Sequence, residues 1–175
     1  MNYDVIIDHY YSAEKDRQLK ELLLLHSRQV CGLAMEVCNR HPELHADLEV
    51  IEAGAMLHDI GIIRCNAPSI HCHGTEPYIK HGVIGADMIT EFYNGNTDAY
   101  PVADKIGRIC ARHTGTGLPG LEPETTEEKI VCYADKFFSK TRPERQKTYE
   151  EAMHSLEKFG KDGLVIFSQW HDMFQ

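Results

Sequence analysis

Residues 54–62 read GAMLHDIGI, and this stretch decides the fold. It has the pattern of an apolar helix near its end, yet it carries His58 and Asp59 side by side just before Gly61. Burying an ionised aspartate is costly unless the carboxylate is paired or coordinates a metal ion. We therefore expect other residues of the chain to converge on this pair.

Helical patterns extend from this stretch in both directions and predict an all-α fold. Residues Asp47 to Ile60 are predicted to form one helix, with Gly61 as its C-terminal stop. Arg64 to Lys80 is predicted to be a loop, because it contains Pro68, Gly74 and Pro77, and no convincing strand alternation appears along the chain. The other predicted helices are Ile6 to Asn39 as one or two helices, His81 to Tyr93, Asp98 to Arg112, Thr125 or Thr126 to Lys140, Glu144 to Phe159 and Gly163 to Phe174.

The chain has 175 residues, a length that suits one domain with one hydrophobic core. We predict a single domain over residues 1–175, organised as a bundle of about six to eight helices. Its motif core covers about residues 22–140, and residues 144–174 form the C-terminal helices. In the first long helical segment one apolar stripe is predicted, consisting of Leu22, Leu25, Val30, Leu33, Ala34 and Val37.

The charge of the chain restricts its partners. The net charge is −9, from 27 acidic and 18 basic residues, which argues against binding to long nucleic acids or to anionic membranes. No apolar run is long enough to span a membrane, and the first residues lack the apolar core of a signal peptide, so we expect a cytoplasmic protein. A phosphate substrate remains compatible with the acidic chain, because a local metal site can reverse the sign of the field.

Histidines and aspartates elsewhere in the chain are candidates to meet the pair in GAMLHDIGI. His26 in LLLLHSRQV and Asp135 in IVCYADKFF are polar residues among apolar neighbours. His81 in KHGVIG and His113 in RHTGTG lie beside glycines at predicted helix edges. Each of them alone is compatible with a purely structural role. Four imidazoles and two carboxylates on separate helices are, however, the donor set that a two-metal site inside a helix bundle requires.

The order H…HD…D formed by these residues resembles the signature of the HD-domain superfamily of metal-dependent phosphohydrolases. The motifs HDIG, HGVIGA, RHTG and YADK are together most similar to its dinuclear branch, typified by bacterial symmetric dinucleoside-tetraphosphate hydrolases. The resemblance implies a first metal ion held by His26, His58, Asp59 and Asp135, and a second held by Asp59, His81 and His113. It implies two divalent transition-metal ions, with iron expected and manganese, zinc, nickel, cobalt or magnesium as alternatives.

The resemblance also suggests residues for catalysis and substrate binding. His58, Asp59, Arg64 and Lys136 are the expected catalytic residues; Arg64 lies near the place where many HD enzymes carry a lysine, although its spacing differs. Further candidates for binding phosphate oxygens are Lys80, Thr114, Lys140 and Arg142. A solvated basic edge is the alternative interpretation for the cationic side chains, and turn stabilisation is the alternative for Thr114.

Three functions are compatible with these motifs. The first is hydrolysis of a small phosphorylated substrate, with a nucleotide expected, by a water molecule that two metal ions activate. The second is a mixed-valent di-iron oxygenase, since some HD-fold proteins with the same ligands resemble inositol oxygenase. The third is a non-catalytic nucleotide sensor, against which the complete ligand set argues. The resemblance leaves a homodimer open.

Overall fold

The computed structural model describes residues 2–94, 100–115 and 119–175. The described residues fold mainly into α-helices, as predicted. The start of the fourth predicted helix, at Asp98, lies outside the described residues. The helices of the described residues are α1 Tyr3–Tyr10, α2 Arg17–Arg40, α3 Leu48–Leu57, α4 His81–Phe92, α5 Tyr100–Arg112, α6 Thr126–Asp135, α7 Tyr149–Leu156 and α8 Lys161–Phe174.

Helix α3 is the central element of the fold. The side chain of Asp47 caps it by accepting a hydrogen bond from the amide of Val50, and most of the helix is buried. Its residues belong to two core clusters: Ala53 and Leu57 pack with α1, α4 and α5, whereas residues on its other faces pack with α2, α6 and α8. Because α3 is surrounded by helices, groups at its C-terminal end lie in the interior of the molecule.

The predicted boundaries of three helices were wrong. Helix α3 ends at Leu57 and not at Ile60, and a 3₁₀ turn follows over Ile60–Arg64. Helix α6 ends at Asp135 and not at Lys140, because the next amides bond to carbonyls three residues back, as in a tightening turn. Helix α7 is shorter than the predicted segment from Glu144 to Phe159.

Residues 64–80 contain short strands, contrary to the prediction of a loop without strands. The strands β1 Cys65–Ala67, β2 Cys72–His73 and β3 Glu76–Pro77 form a small sheet in the order β2-β1-β3. Strand β1 pairs antiparallel with β2, with Asn66 opposite His73, and parallel with β3, with Cys65 opposite Glu76. These strands have too few residues to show a hydrophobic alternation, which is why the sequence pattern did not reveal them.

The apolar stripe of α2 was predicted in the wrong phase at its N-terminal half. Leu19 and Leu23 are buried there, whereas Leu25 is 44% exposed. Val30, Ala34 and Val37 are buried as predicted. The buried stripe therefore passes through His26, which places this histidine in the interior.

Gly61 lets the turn after α3 approach α4 closely. A Cβ atom at this position would overlap the carbonyl oxygen of His81 and the amide nitrogen of Gly85. The absence of a side chain therefore holds the His58–Asp59 segment directly against the first turn of α4.

Candidate metal centre

His58 and Asp59 are presented by the end of α3. His58 still has helical backbone angles, with φ −53° and ψ −33°, whereas Asp59 has φ −102° and ψ 7° and leads into the 3₁₀ turn. Both residues are fully buried. The change in direction of the backbone lets the two side chains reach the same interior space from different sides.

The first ligand set joins this pair to residues that are far away in the sequence. His26 comes from the buried stripe of α2, and Asp135 is the last residue of α6. The Nε2 atom of His26 lies 3.0 Å from Oδ1 of Asp135 and 3.2 Å from Oδ2 of Asp59. The Nε2 atom of His58 also lies 3.2 Å from Oδ2 of Asp59. One donor atom from each of the four residues lies within 4.8 Å of the others.

The second ligand set uses the other oxygen of Asp59. His81 is the first residue of α4, and His113 directly follows α5. Oδ1 of Asp59 lies 3.2 Å from Nε2 of His81 and 3.5 Å from Nε2 of His113. The two Nε2 atoms are 2.9 Å apart. Each carboxylate oxygen of Asp59 thus faces a different pair of histidines, which is the geometry of a bridging ligand.

Backbone carbonyls fix the orientation of three of these imidazoles. The Nδ1–H groups of His58, His81 and His113 donate to the carbonyl oxygens of Ala55, Tyr78 and Cys110, each at 2.6 Å. In the neutral form each ring therefore directs the lone pair of its Nε2 atom into the centre. Two lone pairs at 2.9 Å repel each other unless a cation lies between them, so the arrangement fits metal binding.

Burial and the two carboxylates set the protonation states of the histidines in the centre. Burial disfavours the charged form of His58, but the Asp59 and Asp135 carboxylates together outweigh this effect and raise the pKa of His58 to about 9, so that this ring must release a proton when it coordinates a metal ion. Burial lowers the pKa of His113 to about 3, so that this imidazole is neutral and free to coordinate. Neither oxygen of Asp59 accepts a hydrogen bond of proper geometry from any described residue, although a buried carboxylate oxygen requires such a partner or a metal ion. Imidazole nitrogens with carboxylate oxygens suit iron, zinc or manganese, and the residues present fit two such ions.

Two lysines adjoin the centre. Lys140 forms an ion pair with Oδ2 of Asp59 and holds the pKa of that carboxyl well below its usual range, against the effect of burial. Lys136 donates hydrogen bonds to the carbonyl oxygen of His113, at 2.8 Å, and to Oδ2 of Asp135, at 3.0 Å. Both lysines line a cavity of about 570 Å³ that opens beside the ligands. Thr114 lines the same cavity, and its hydroxyl is buried without a hydrogen-bond partner among the described residues.

Arg64, which was predicted to be catalytic, and the predicted substrate-binding residues Lys80 and Arg142 lie outside the two ligand sets. The guanidinium group of Arg64 pairs with Glu91 and lies over the ring of Tyr10, outside both ligand sets. Lys80 is exposed and pairs with Glu76. Arg142 lines a second cavity of about 470 Å³, which adjoins the first. Arg64 and Lys80 are therefore exposed residues that pair with surface glutamates.

Two residues beside the centre were missed in the sequence. Tyr78 lines the cavity, and its carbonyl oxygen orients His81. Lys147 also lines the cavity, where its ammonium donates to the carbonyl oxygen of Lys136 at 3.1 Å. Tyr78 precedes His81 by three residues, which is the spacing at which a carbonyl can accept from a helical histidine. Lys147 lies in the segment from Glu144 to Phe159 that was predicted to be helical, and no motif distinguished it from the other lysines of the chain.

Comparisons with known proteins give one family and several relatives. The family model described as HD domain matches residues 23–139. The tRNA (cytidine(56)-2'-O)-methyltransferase of Picrophilus torridus is 32% identical over 140 residues, which are 73% of this chain and 35% of that protein. The methyltransferase of the same name from Thermoplasma volcanium is 26% identical over 170 residues, 85% of this chain and 44% of that protein.

A third relative, an uncharacterized protein of Methanocaldococcus jannaschii, is 33% identical over 122 residues, 63% of this chain and 60% of that protein. The chain thus spans less than half the length of the two methyltransferases that it matches. No solved structure matches the chain significantly. No helix in the described part of the chain has both the length and the hydrophobicity that crossing a membrane requires.

Proposed function

Because the chain belongs to the HD-domain family, we propose that it is a metal-dependent phosphohydrolase that cleaves a phosphate ester or anhydride of a nucleotide or another small phosphorylated metabolite. The observation that carries this proposal is the division of Asp59 between two histidine pairs beside a cavity lined by lysines. His26, His58, Asp59 and Asp135 would hold one divalent ion, and Asp59, His81 and His113 would hold the other.

Two bound divalent ions would act as Lewis acids and would activate a water molecule for attack on phosphorus. The residues of the chain would then bind and orient the substrate. Lys140 and Lys136 stand beside the ligands, where their ammonium groups would bind phosphoryl oxygens and stabilise the charge that develops on them. Burial, the largest single effect, disfavours the charged form of Lys136, but Cys132 and Asp135 together outweigh it and raise the pKa of Lys136, so this lysine stays charged near neutral pH. Thr114 would use its unpartnered hydroxyl to bind a further oxygen.

The volume and the apolar lining of the cavity favour a substrate with an apolar portion. Its volume of about 570 Å³ is in the usual range for small-molecule sites. Ile79 and Phe159, two large apolar side chains that are 45% and 53% exposed, line it. Stacking of a nucleobase on Phe159 would cover this apolar surface. We expect Phe159→Ala to raise the KM for a nucleotide by about tenfold while the KM for inorganic pyrophosphate changes little.

The names of the two methyltransferases describe proteins of which this chain spans the smaller part, and we do not propose methyl transfer for this chain. The narrower resemblance to symmetric dinucleoside-tetraphosphate hydrolases stays a prediction, and these compounds belong in the substrate panel. The cytoplasmic location is likewise a prediction from the sequence.

The test combines metal analysis with a phosphatase screen. Protein purified without added metal is analysed for its elements and is then assayed for phosphate release across nucleotides and sugar phosphates. We expect about two transition-metal ions per chain and turnover of at least one phosphate compound. Asp59→Asn should lose both properties, whereas Asp87→Asn, which changes an exposed aspartate of α4, should keep them. A folded, metal-replete protein with at most one ion would refute the dinuclear site, and oxygen consumption without phosphate release would identify an oxygenase instead.

A further inference from the structure

A second cavity adjoins the one beside the metal centre, and we call it the outer cavity. It has a volume of about 470 Å³ and is lined by Ser139, Thr141, Arg142, Arg145, Lys147, Glu151, Ser155 and Lys158. Five of these residues, Ser139, Thr141, Lys147, Ser155 and Lys158, also line the cavity beside the centre. The two cavities therefore adjoin along a shared wall, and an elongated substrate would extend along this wall from one cavity to the other.

The outer cavity carries an excess of positive charge. Among its lining residues Glu151 provides the single carboxylate, and Arg145 neutralises it through two contacts of 2.6 Å. Arg142, Lys147 and Lys158 form no ion pair with any described residue. The ammonium of Lys147 donates to a backbone carbonyl and that of Lys158 lies over the ring of Phe159, and neither contact neutralises the charge. Three unpaired cations around one concave surface are unexpected in a chain of net charge −9 unless an anion binds there.

Hydroxyl groups accompany these cations. The hydroxyls of Ser139 and Thr141 lie 3.0 Å apart, and that of Ser155 lies 3.5 Å from the ammonium of Lys147. Cations together with hydroxyl donors are the groups that bind phosphate oxygens in proteins. A carboxylate would be bound less well, because three separate cations match the several charged oxygens of a phosphate group.

We propose that the outer cavity is a subsite for a second phosphate group of the substrate. The reacting phosphate lies at the metal centre beside Lys136 and Lys140, and Arg142, Lys147 and Lys158 bind the second phosphate. This inference rests on the proposed function and makes it narrower: the preferred substrate carries at least two phosphate groups. Both a phosphate chain and two phosphates on different atoms of one molecule satisfy this requirement.

The test compares substrates that differ in a second phosphate. Adenosine 5'-monophosphate, adenosine 5'-diphosphate and adenosine 3',5'-bisphosphate are assayed with the metal-loaded protein. We expect at least one doubly phosphorylated compound to have a KM about tenfold below that of the monophosphate. The variant Arg142→Gln/Lys158→Gln should lose most of this preference, and it should keep its fold because both replaced side chains are exposed. The control Lys15→Gln/Arg28→Gln removes the same charge from exposed positions that line neither cavity and should keep the preference.

Two results would overturn the subsite and leave the phosphohydrolase proposal standing. One is equal KM values for all three compounds in the unchanged protein, and the other is a preference that survives in the Arg142→Gln/Lys158→Gln variant. If no compound is hydrolysed, binding of inorganic tripolyphosphate to the metal-loaded protein, measured by calorimetry, decides. Affinity about tenfold weaker in the Arg142→Gln/Lys158→Gln variant than in the control supports the subsite, and equal affinity refutes it.

Discussion

Replacement of His113 by alanine should remove one metal ion and not two. His113 belongs to the second ligand set alone, where its Nε2 atom lies 2.9 Å from that of His81 and 3.5 Å from Oδ1 of Asp59. Without His113, the second set retains two ligands, which is too few for a stable site. The first set, formed by His26, His58, Asp59 and Asp135, stays complete.

The cost to stability follows from the burial of the side chain. His113 is 2% exposed, and its Nδ1–H group donates to the carbonyl oxygen of Cys110. Removing a buried ring leaves a cavity and costs roughly 3 kcal/mol. Ile109, in the last turn of α5, is as deeply buried and is not a ligand, so Ile109→Ala serves as a control with a similar loss of stability.

The assay measures metal stoichiometry, turnover and the thermal midpoint of both variants. For His113→Ala we expect about one ion per chain and a decrease in kcat of at least about 100-fold, because losing one Lewis acid removes several kcal/mol of transition-state stabilisation. Ile109→Ala should keep two ions and most of its turnover. Two ions and ordinary turnover in folded His113→Ala would show that this histidine is structural and would refute the two-metal mechanism.

Three further predictions concern pH, packing and capping. The affinity of the metal-free protein for divalent metal ions should rise as the pH increases toward about 9. The reason is that His58, whose pKa is raised to about 9, must release its proton before it can coordinate. Metal titrations with an indicator of proton release measure this, and an affinity independent of pH would contradict it. Gly61→Ala should lower the free energy of unfolding by about 3 kcal/mol in a denaturant titration, since the Cβ of the new alanine would displace the carbonyl of His81. An unchanged midpoint would disprove the close contact. Thr125→Ala should cost about 1 kcal/mol, or about 2–4 °C in the thermal midpoint, through loss of the capping box of α6, whereas Thr126→Ala should have a smaller effect.

The limits of the sequence pattern are visible in α2. Residues 22–25 are four consecutive leucines, so the pattern contains no polar residue that would mark the exposed side. The predicted stripe included Leu25, which is exposed, and left out Leu23, which is buried. Where polar and apolar residues alternate at helical spacing, as from Val30 to Val37, the buried side was predicted correctly.

Helix termini show the same difference between strong and weak local signals. The capping box places the start of α6 at Thr125, one of two predicted caps, because its side chain bonds to the amide of Glu128 within the same turn. The end of α6 has no glycine or proline in the sequence to mark it, and the helix stops at Asp135, five residues before the predicted end. The position of this end places Asp135 beside His26 and directs Lys140 toward Asp59.

The helical class could be read from the sequence, because periodicity and caps are properties of neighbouring residues. The order of the motifs, through its resemblance to the HD-domain family, indicated the six residues that converge. The tertiary structure alone decided which atoms meet. His26 and Asp135 are 109 residues apart, and only the packing of α2 against α6 brings them within 3.0 Å. Packing likewise sends Arg64 and Lys80 to the surface and brings Lys147 to the cavity. The direction of a side chain depends on elements that are remote in the sequence, and no local pattern encodes it.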